Sequence, residues 1–300
     1  MTPLSRHERS ERLLGFALLA PAGLLLALVV VYPVFDLLKT SFYELKLSDG
    51  PGVPRYVGLA NYARALGDPG FWHATGNTLA LAIVTVPGAL AAGLALAILA
   101  NQIVTRKWII RLALLMPWML PLVFTGLLFH WFFDFRFGIV NDVLARIGSS
   151  PPQWLSSPNL AFAAICIAIV WKTSSFVALV LLAGLQTIPG ELYEAADIDG
   201  ATPGQQFWRI TVPMLRPSIV VALVFRTITS IQTFDIPYAM TGGGPGDATE
   251  TLAMYIQKTT IDFLDFGYGS ALAALMFIVS MLATATYLKH IRRREDEGAE

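Results

Sequence analysis

Two positively charged side chains lie near the middle of long apolar stretches of this 300-residue chain. Lys172 falls within residues 160–185, and Arg226 within residues 214–236. A cation at the centre of a bilayer costs about 2.5–3.5 kcal/mol on insertion scales, so such a side chain faces protein or water. We predict that both cations face a water-filled cavity and bind a polar ligand there. The alternative is a structural contact, either a salt bridge to another subunit or bonds to backbone carbonyls.

Other combinations of reactive residues in the sequence are weak. His130 and Asp134 are one helical turn apart, but two ligands do not make a metal site. The aromatic residues 131–133 beside them favour a membrane-interface belt instead. The chain has no HExxH or GxSxG motif and a single cysteine, Cys166. We therefore predict no catalytic residue, no metal site and no cofactor in this chain, and we do not favour an intramembrane enzyme or a membrane receptor.

The elements that must position these residues are membrane helices. Hydrophobic residues make up 55% of the chain and charged residues 14%, with a mean hydropathy of +0.60, a composition typical of membrane proteins. Six apolar runs are long enough to cross a bilayer as helices, and we read the first as a retained span, not a cleaved signal peptide. The predicted spans are Leu13–Phe35, Thr75–Ala100, Ile109–Phe133, Leu160–Leu185, Met214–Ile236 and Gly269–Leu288. The predicted fold is all-α with six transmembrane helices.

Basic residues orient these spans, because positively charged loops stay in the cytoplasm. The segments assigned to the inside carry twelve Lys and Arg residues, and the longer outside loops carry seven. We therefore expect a cytoplasmic segment at 1–12, a single transmembrane domain at 13–288 and a cytoplasmic tail at 289–300. The chain has zero net charge and no basic stripe with interleaved aromatics, so we expect no nucleic-acid partner.

A polar insert at 191–217 interrupts the apolar sequence. Its pattern predicts two short helices joined at Gly200, the second ended by Pro213 and Pro217. The positive-inside rule places this insert on the cytoplasmic face, where a compact polar element is suited to docking a partner.

Three loops are predicted on the opposite face. Residues 36–74 and 134–159 mix charge, aromatics and glycine, so we expect ordered caps. The third, Thr241–Thr251, is rich in glycine, but it has no Lys followed by Ser or Thr and no preceding strand, so it is not a nucleotide-binding loop. Pro117 and Pro121 lie one turn apart in the third span, where they either pack ordinarily or bend the helix.

The polar insert resembles the EAA motif of permease subunits in binding-protein-dependent ABC importers, specifically the carbohydrate-uptake class related to maltose permeases. The resemblance extends over nearly the whole chain. Its other matching segments are Pro21 with Tyr32-Pro33, Ser41-Phe42, Gly58 to Tyr62, Asp68-Pro69, Phe71-Trp72, Asn77-Thr78, Gly242 to Pro245 and Thr249 to Leu252.

This resemblance implies a type I importer fold in a bacterial cytoplasmic membrane, with both termini cytoplasmic and lipid around the spans. Two permeases would form one pathway, and a dimer of partner ATPases would bind ATP and Mg. The residues implied to couple to the ATPase are Glu194, Ala195, Ala196, Asp199, Gly200 and Ala201. An extracytoplasmic solute-binding protein would contact the loop residues Gly242, Gly243, Gly244 and Pro245.

The resemblance also implies where a sugar binds. Maltose permeases hold sugar on the spans flanking the EAA segment, and the matching positions here are Lys172, Thr173, Phe176, Arg226 and Ser230. The two cations depart from the uncharged residues of maltose permeases. The sequence thus predicts import of a di- or oligosaccharide of the trehalose or maltose type, with a glycerol phosphate-type compound as the alternative. Helix packing is the other explanation for Phe176 and Ser230.

Overall fold

The computed structural model of this chain describes residues 6–47, 50, 53–102 and 107–297. The ends of the two predicted tails, residues 1–5 and 298–300, and the predicted inside charge Arg106 lie outside the described residues. The described part is predominantly helical. Its helices are α1 (Arg6–Leu26), α2 (Tyr32–Thr40), α3 (Ala60–Gly67), α4 (Pro69–Gln102), α5 (Lys107–Met119), α6 (Leu122–Phe132), α7 (Ile139–Arg146), α8 (Pro158–Leu185), α9 (Glu191–Ile198), α10 (Pro203–Gln206), α11 (Val212–Met214), α12 (Arg216–Ile231), α13 (Asp235–Thr241), α14 (Leu252–Gln257) and α15 (Phe266–Glu297), and its two strands are β1 (Tyr43–Glu44) and β2 (Arg55–Tyr56).

Three stretches of the described residues are long and apolar enough to cross a membrane as continuous helices: Ala17–Thr40, Pro69–Gln102 and Pro158–Leu185. Two bent pairs bring the number to five if each pair is one span. The sixth predicted span corresponds to a shorter apolar segment, Phe266–Leu282, at the start of α15. The prediction of an all-helical membrane protein is confirmed.

The third predicted span is not the single helix that we expected. It consists of Trp108–Met119 and Leu122–Phe132, which meet at an angle of 89°. Pro121 has no N–H to donate to the carbonyl of Pro117, and its ring would collide with that carbonyl in a continuous helix. The two prolines one turn apart therefore mark a sharp break, and the bend predicted as one of two outcomes is present.

The fifth predicted span also differs from the expectation. Helix α12 ends at Ile231, and a separate helix, α13, begins at Asp235. Before it, residues 203–214 and α12 meet at 64°, because Pro217 cannot donate to the carbonyl four residues earlier. Pro213 does not end the second helix of the polar insert, which continues through a wide π turn at Phe207–Thr211 to Met214.

Residues 68–255 form the larger part of a compact unit whose centre is the pair α4 and α8. Gly88 and Gly93 let these two helices approach closely: a Cβ at Gly88 would lie 3.0 Å from Val170, and one at Gly93 would lie 2.6 Å from Val177. Small residues at such crossings are the usual way that membrane helices pack. Buried apolar side chains such as Leu81 and Leu181 fill the interface.

Residues 6–67 and 256–275 belong to a second compact unit, which contains residues 36–67 of the first predicted cap. The antiparallel strands β1 and β2 pair within it. Asn61 donates its amide to the carbonyls of Ser41 and Tyr43, both at 2.9 Å. Arg64 pairs with Asp265 at 2.8 Å and stacks on the ring of Tyr268. The first predicted cap is therefore held by specific contacts where the structure describes it, which agrees with the prediction of an ordered cap.

Candidate functional site

A cavity of about 420 Å³ opens between α8, α12 and the break between α5 and α6. It brings together four of the five residues predicted to bind substrate, Lys172, Thr173, Phe176 and Arg226. Its other walls combine aromatic, aliphatic and polar side chains. They are formed by Trp118, Leu120, Pro121, Leu122, Ile169, Phe225, Thr229, Gln232, Thr233, Phe234, Asp235 and Ile236.

Lys172 reaches from α8 to the broken ends of the third span. Its ammonium donates to the carbonyls of Pro117 (2.9 Å), Trp118 (2.7 Å) and Leu120. The carbonyl of Pro117 is the one that Pro121 leaves without a helical donor. All three donor positions of the ammonium are used, and the side chain is only 4% exposed. In this conformation Lys172 bonds to backbone carbonyls, which is the structural alternative to ligand binding.

Arg226 on α12 is in a different position. Among the residues that the structure describes, only Thr229 binds this guanidinium, through its hydroxyl at 3.0 Å from Nη1. Nε and Nη2 are buried and have no hydrogen-bond partner, and the residue is 5% exposed. No described carboxylate forms an ion pair with this guanidinium; Asp235, the acid among the described lining residues, sits beyond the end of α12. A buried cation with two unused donors is costly unless something compensates it.

Aromatic rings form one wall of the cavity beside Arg226. The ring of Phe176 lies 4.5 Å from that of Phe225 and 6.4 Å from that of Trp118, centroid to centroid. Flat apolar faces of this kind suit the C–H faces of a sugar ring. Thr173 lines the same wall but donates its hydroxyl to the carbonyl of Ile169 at 2.6 Å, so its oxygen can still accept a hydrogen bond.

Ser230, the fifth predicted residue, does not line the cavity. It shares a helix face with Arg226, as its spacing predicts, but it packs toward α4, where its hydroxyl lies 3.3 Å from that of Thr85. It is 1% exposed. This placement favours the packing explanation, and a substrate contact by Ser230 stays a prediction. Trp118 was missed because its approach to Phe176 depends on the break of the third span. Phe225 and Thr229 were missed although both lie on the same helix as Arg226.

The polar insert folds as a helical hairpin around Gly200. Helix α9 ends at Ile198, and Gly200 follows with a φ of +74°. This left-handed backbone favours glycine. The amide of Ala201 donates to the carbonyl of Ala196 at 2.9 Å. Thr202 then caps α10 together with Gln205, so the turn predicted at this glycine is present.

The exposed face of the hairpin contains most of the predicted coupling residues. Glu194, Ala195, Asp199 and Gly200 are exposed, whereas Ala196 and Ala201 are half-buried. Two large apolar side chains beside them are also exposed, Ile198 at 87% and Trp208 at 69%. Exposed apolar residues next to charged ones are common at docking surfaces. Ile198 and Trp208 were not predicted, although an apolar residue within a polar insert was a usable signal.

The glycine-rich loop is tightly built. Gly242 ends α13 with a φ of +60°, and Gly243 has a φ of +94°. Two hydrogen bonds from Thr249 stabilise the loop. Its amide donates to the carbonyl of Gly243 (3.0 Å), and its hydroxyl donates to the carbonyl of Gly244 (2.8 Å). Gly243 is buried. Of the predicted contact residues Gly242 is exposed, and Gly244 and Pro245 are half-buried.

The same loop is attached to the first turns of α4. The amide of Asn77 donates to the carbonyls of Asp247 (3.2 Å) and Glu250 (3.0 Å). The hydroxyl of Thr78 accepts from the amide of Leu252 at 2.8 Å. Two of the segments that resemble importer permeases, Asn77-Thr78 and Thr249 to Leu252, are therefore in direct contact although they lie more than 170 positions apart in sequence.

His130 and Asp134, which the sequence offered as a weak metal site, have ordinary hydrogen-bond partners. A ring nitrogen of His130 lies 2.6 Å from the carbonyl of Met240. Asp134 accepts from the amides of Phe137 and Arg136, both at 2.8 Å, and these bonds lower the pKa of its carboxyl. Within the described part of the chain no three potential ligands converge.

Comparisons with known proteins agree with this architecture. The model of the family described as binding-protein-dependent transport system inner membrane component matches residues 88–296. The sulfoquinovosyl glycerol transport system permease of Agrobacterium fabrum is 58% identical over 96% of this chain and 93% of its own length. The trehalose/maltose transport system permease of Thermococcus litoralis is 38% identical over 97% of this chain and 98% of its own.

A solved structure shares the fold. It is a bacterial ABC transporter involved in the import of the acidic polysaccharide alginate, with a TM-score of 0.81, 22% identity and coverage of 95% of this chain and 96% of that chain. The predicted type I importer permease fold is thereby confirmed. With most of its length matched by the family model, the chain belongs to the family of binding-protein-dependent transport system inner membrane components.

Proposed function

We propose that this chain forms half of the translocation pathway of an ATP-driven importer for a small acidic glycoside of glycerol. The observation that carries the substrate class is 58% identity to a sulfoquinovosyl glycerol permease, maintained over nearly the full length of both chains. A sulfonated sugar is an anion, which agrees with a cavity lined by two cations, Lys172 and Arg226, and one acid, Asp235. This substrate combines the two alternatives of the sequence analysis, a glycoside and an anionic glycerol compound.

A neutral disaccharide is the second candidate. The trehalose/maltose permease of Thermococcus litoralis supports it at 38% identity, and the aromatic wall of Phe176, Phe225 and Trp118 would suit any sugar ring. The lower identity and the unpaired Arg226 make it the less favoured candidate.

Energy enters through partners, because the chain has no nucleotide-binding motif. A dimer of ATPase subunits, which bind ATP and Mg, docks on the hairpin face formed by Glu194, Ala195, Asp199 and Gly200. Ile198 and Trp208 add apolar contact area to that face. Closure of the ATPases moves the hairpin, and α12, which begins only two residues after α11, transmits the movement toward the cavity.

The opposite face receives the solute-binding protein. The solute-binding protein contacts the exposed residues of the glycine-rich loop, including Gly242 and Gly246. Hydrogen bonds from Asn77 connect this loop to α4. Partners on both faces then bias one equilibrium between outward-open and inward-open states. The second permease completes the pathway. The basic-residue pattern supports a cytoplasmic location for both termini and the hairpin.

The test is ATP-dependent uptake by the complete complex in vesicles, with the cognate binding protein. Sulfoquinovosyl glycerol, glycerol 3-phosphate, trehalose and maltose are offered separately. Saturable uptake of sulfoquinovosyl glycerol supports the proposed substrate class. Uptake of trehalose or maltose alone would replace it with the second candidate.

A further inference from the structure

We infer that the Nε/Nη2 edge of Arg226 is the anion-recognition site of the cavity and holds the oxyanion group of the substrate. This inference rests on the proposed function, and it assigns selectivity for acidic substrates to one residue. Lys172, the other cation in the cavity wall, has a positioning role.

The geometry of the guanidinium supports this assignment. Arginine presents two parallel N–H groups along the edge formed by Nε and Nη2, and this fork matches two oxygens of a carboxylate, sulfonate or phosphate. Thr229 occupies Nη1, outside that edge, and orients the group at 3.0 Å. The two nitrogens left without partners are the two that make the fork.

The surroundings indicate an anion and not a neutral group as the missing partner. A buried guanidinium whose charge is uncompensated is strongly destabilising, and a neutral acceptor satisfies its donors without neutralising it. Among the described residues that line the cavity the acid is Asp235, and it forms no ion pair with Arg226. An oxyanion supplies both the two acceptors and the charge.

Lys172 is not equivalent, because its three donors are already bound to backbone carbonyls of the broken third span. Recruiting it for a ligand would leave those carbonyls without a donor. Nε and Nη2 of Arg226 donate to no described group, so binding a ligand there would leave no other acceptor unpaired. Its fork is shielded from water in the conformation described here, so an oxyanion in the cavity reaches it only after the arginine side chain moves.

The experiment uses a matched pair of substrates and a matched pair of variants. Sulfoquinovosyl glycerol and glucosyl glycerol differ at the sulfonate, so they report on the anion alone. Uptake kinetics in vesicles are compared for wild type, Arg226→Met, Arg226→Lys and the exposed arginine control Arg146→Met. Assembly of each complex is checked by co-purification of its partner chains.

We expect Arg226→Met to raise the KM for sulfoquinovosyl glycerol about 10- to 100-fold, the loss typical of a charge-assisted pair. The KM for glucosyl glycerol should not rise. Arg226→Lys, which keeps the charge but loses the fork, should give an intermediate KM and keeps the test valid if the Met variant fails to assemble. Arg146→Met should behave as wild type.

Three outcomes overturn the inference. If the wild type imports sulfoquinovosyl glycerol and neither Arg226 variant changes its KM selectively, another group reads the anion and the proposed function survives. Equal loss of uptake for both glycosides, together with weakened assembly, identifies a structural ion pair with the second permease. If the wild type imports neutral sugars alone, the proposed substrate class fails, and the inference fails with it.

Discussion

Replacing Lys172 with methionine should destabilise the protein and leave its substrate preference unchanged. The ammonium is the donor for the carbonyls of Pro117, Trp118 and Leu120, and methionine keeps the length of the side chain while removing every donor. The 89° break of the third span would then lose the only described side chain that donates to all three carbonyls.

The size of the effect follows from these bonds. A hydrogen bond to a charged group contributes about 1.5–3 kcal/mol, and a buried acceptor left unpaired costs about 1–3 kcal/mol. Because three carbonyls share one ammonium, their contributions are not additive, and we expect a loss near the upper end of one bond, about 3 kcal/mol. That corresponds to a fall in melting temperature of about 6–12 °C for a domain of 150–250 residues.

The assay is thermal melting of the purified complex, followed by uptake kinetics at a temperature where the variant is folded. The exposed lysine Lys39 provides the control variant Lys39→Met. A positioning role predicts a lower melting temperature for Lys172→Met with KM values close to those of the wild type. A variant that melts with the wild type but has a much higher KM would refute the reasoning and make Lys172 a ligand.

Three further predictions concern packing, the glycine loop and pH. Gly93→Ala should lower the free energy of unfolding by about 1–3 kcal/mol through overpacking, because the new Cβ would lie 2.6 Å from Val177. The control is Gly76→Ala, where a Cβ on the same helix meets open space. Equal melting temperatures of the two variants would contradict the packing account. Gly243→Ala should impair uptake more than Gly244→Ala, since only Gly243 has a left-handed φ (+94°), while co-purification of the ATPase stays normal; uptake at the wild-type level in both variants would remove the loop from the transport mechanism. Because two backbone amides lower the pKa of Asp134, its carboxylate should stabilise the turn above the ordinary carboxyl pKa, about 3.9, and lose that effect as the pH falls through the lower folded value. The difference in melting temperature between wild type and Asp134→Asn should therefore shrink from pH 7 toward pH 3, and a constant difference would contradict this.

Local sequence rules predicted the backbone elements well. Prolines without N–H groups mark the break at Pro117 and Pro121, and a glycine marks the turn of the hairpin at Gly200. The rules did not give the direction in which the chain continues after a break. The 89° bend divides the predicted third span into α5 and α6, and the predicted fifth span is divided between α12 and α13. The directions of these segments depend on how the neighbouring helices pack.

The candidate site was predicted in outline because a cation in an apolar helix must avoid lipid. Lys172 and Arg226 do line one cavity. Their different roles were not predictable, since the carbonyls bound by Lys172 lie 52 to 55 residues away in sequence. Ser230 shares the buried face of Arg226, but the shorter serine reaches Thr85 and not the cavity. Helical spacing gives the face of a side chain and not its partners.

The contact between Asn77 and the loop at Glu250 illustrates the same limit at longer range. Both segments were recognised from their resemblance to importer permeases, but nothing in the sequence joined them. The hydrogen bonds at 3.0 and 3.2 Å connect the loop to α4. This connection links the glycine-rich loop directly to the helix that packs most extensively on α8.

ATP-dependent uptake by the Gly200→Asp complex tests the central claim most directly. Gly200 is exposed, and a Cβ there meets nothing within 4 Å. Aspartate enters the left-handed region more readily than most residues, so the hairpin should fold while a new charge obstructs the coupling surface. We predict that the assembled complex loses uptake of sulfoquinovosyl glycerol, whereas Gly204→Asp, also exposed and in open space nearby, retains it. Uptake at the wild-type rate by Gly200→Asp would contradict the account of this chain as a permease driven through its hairpin.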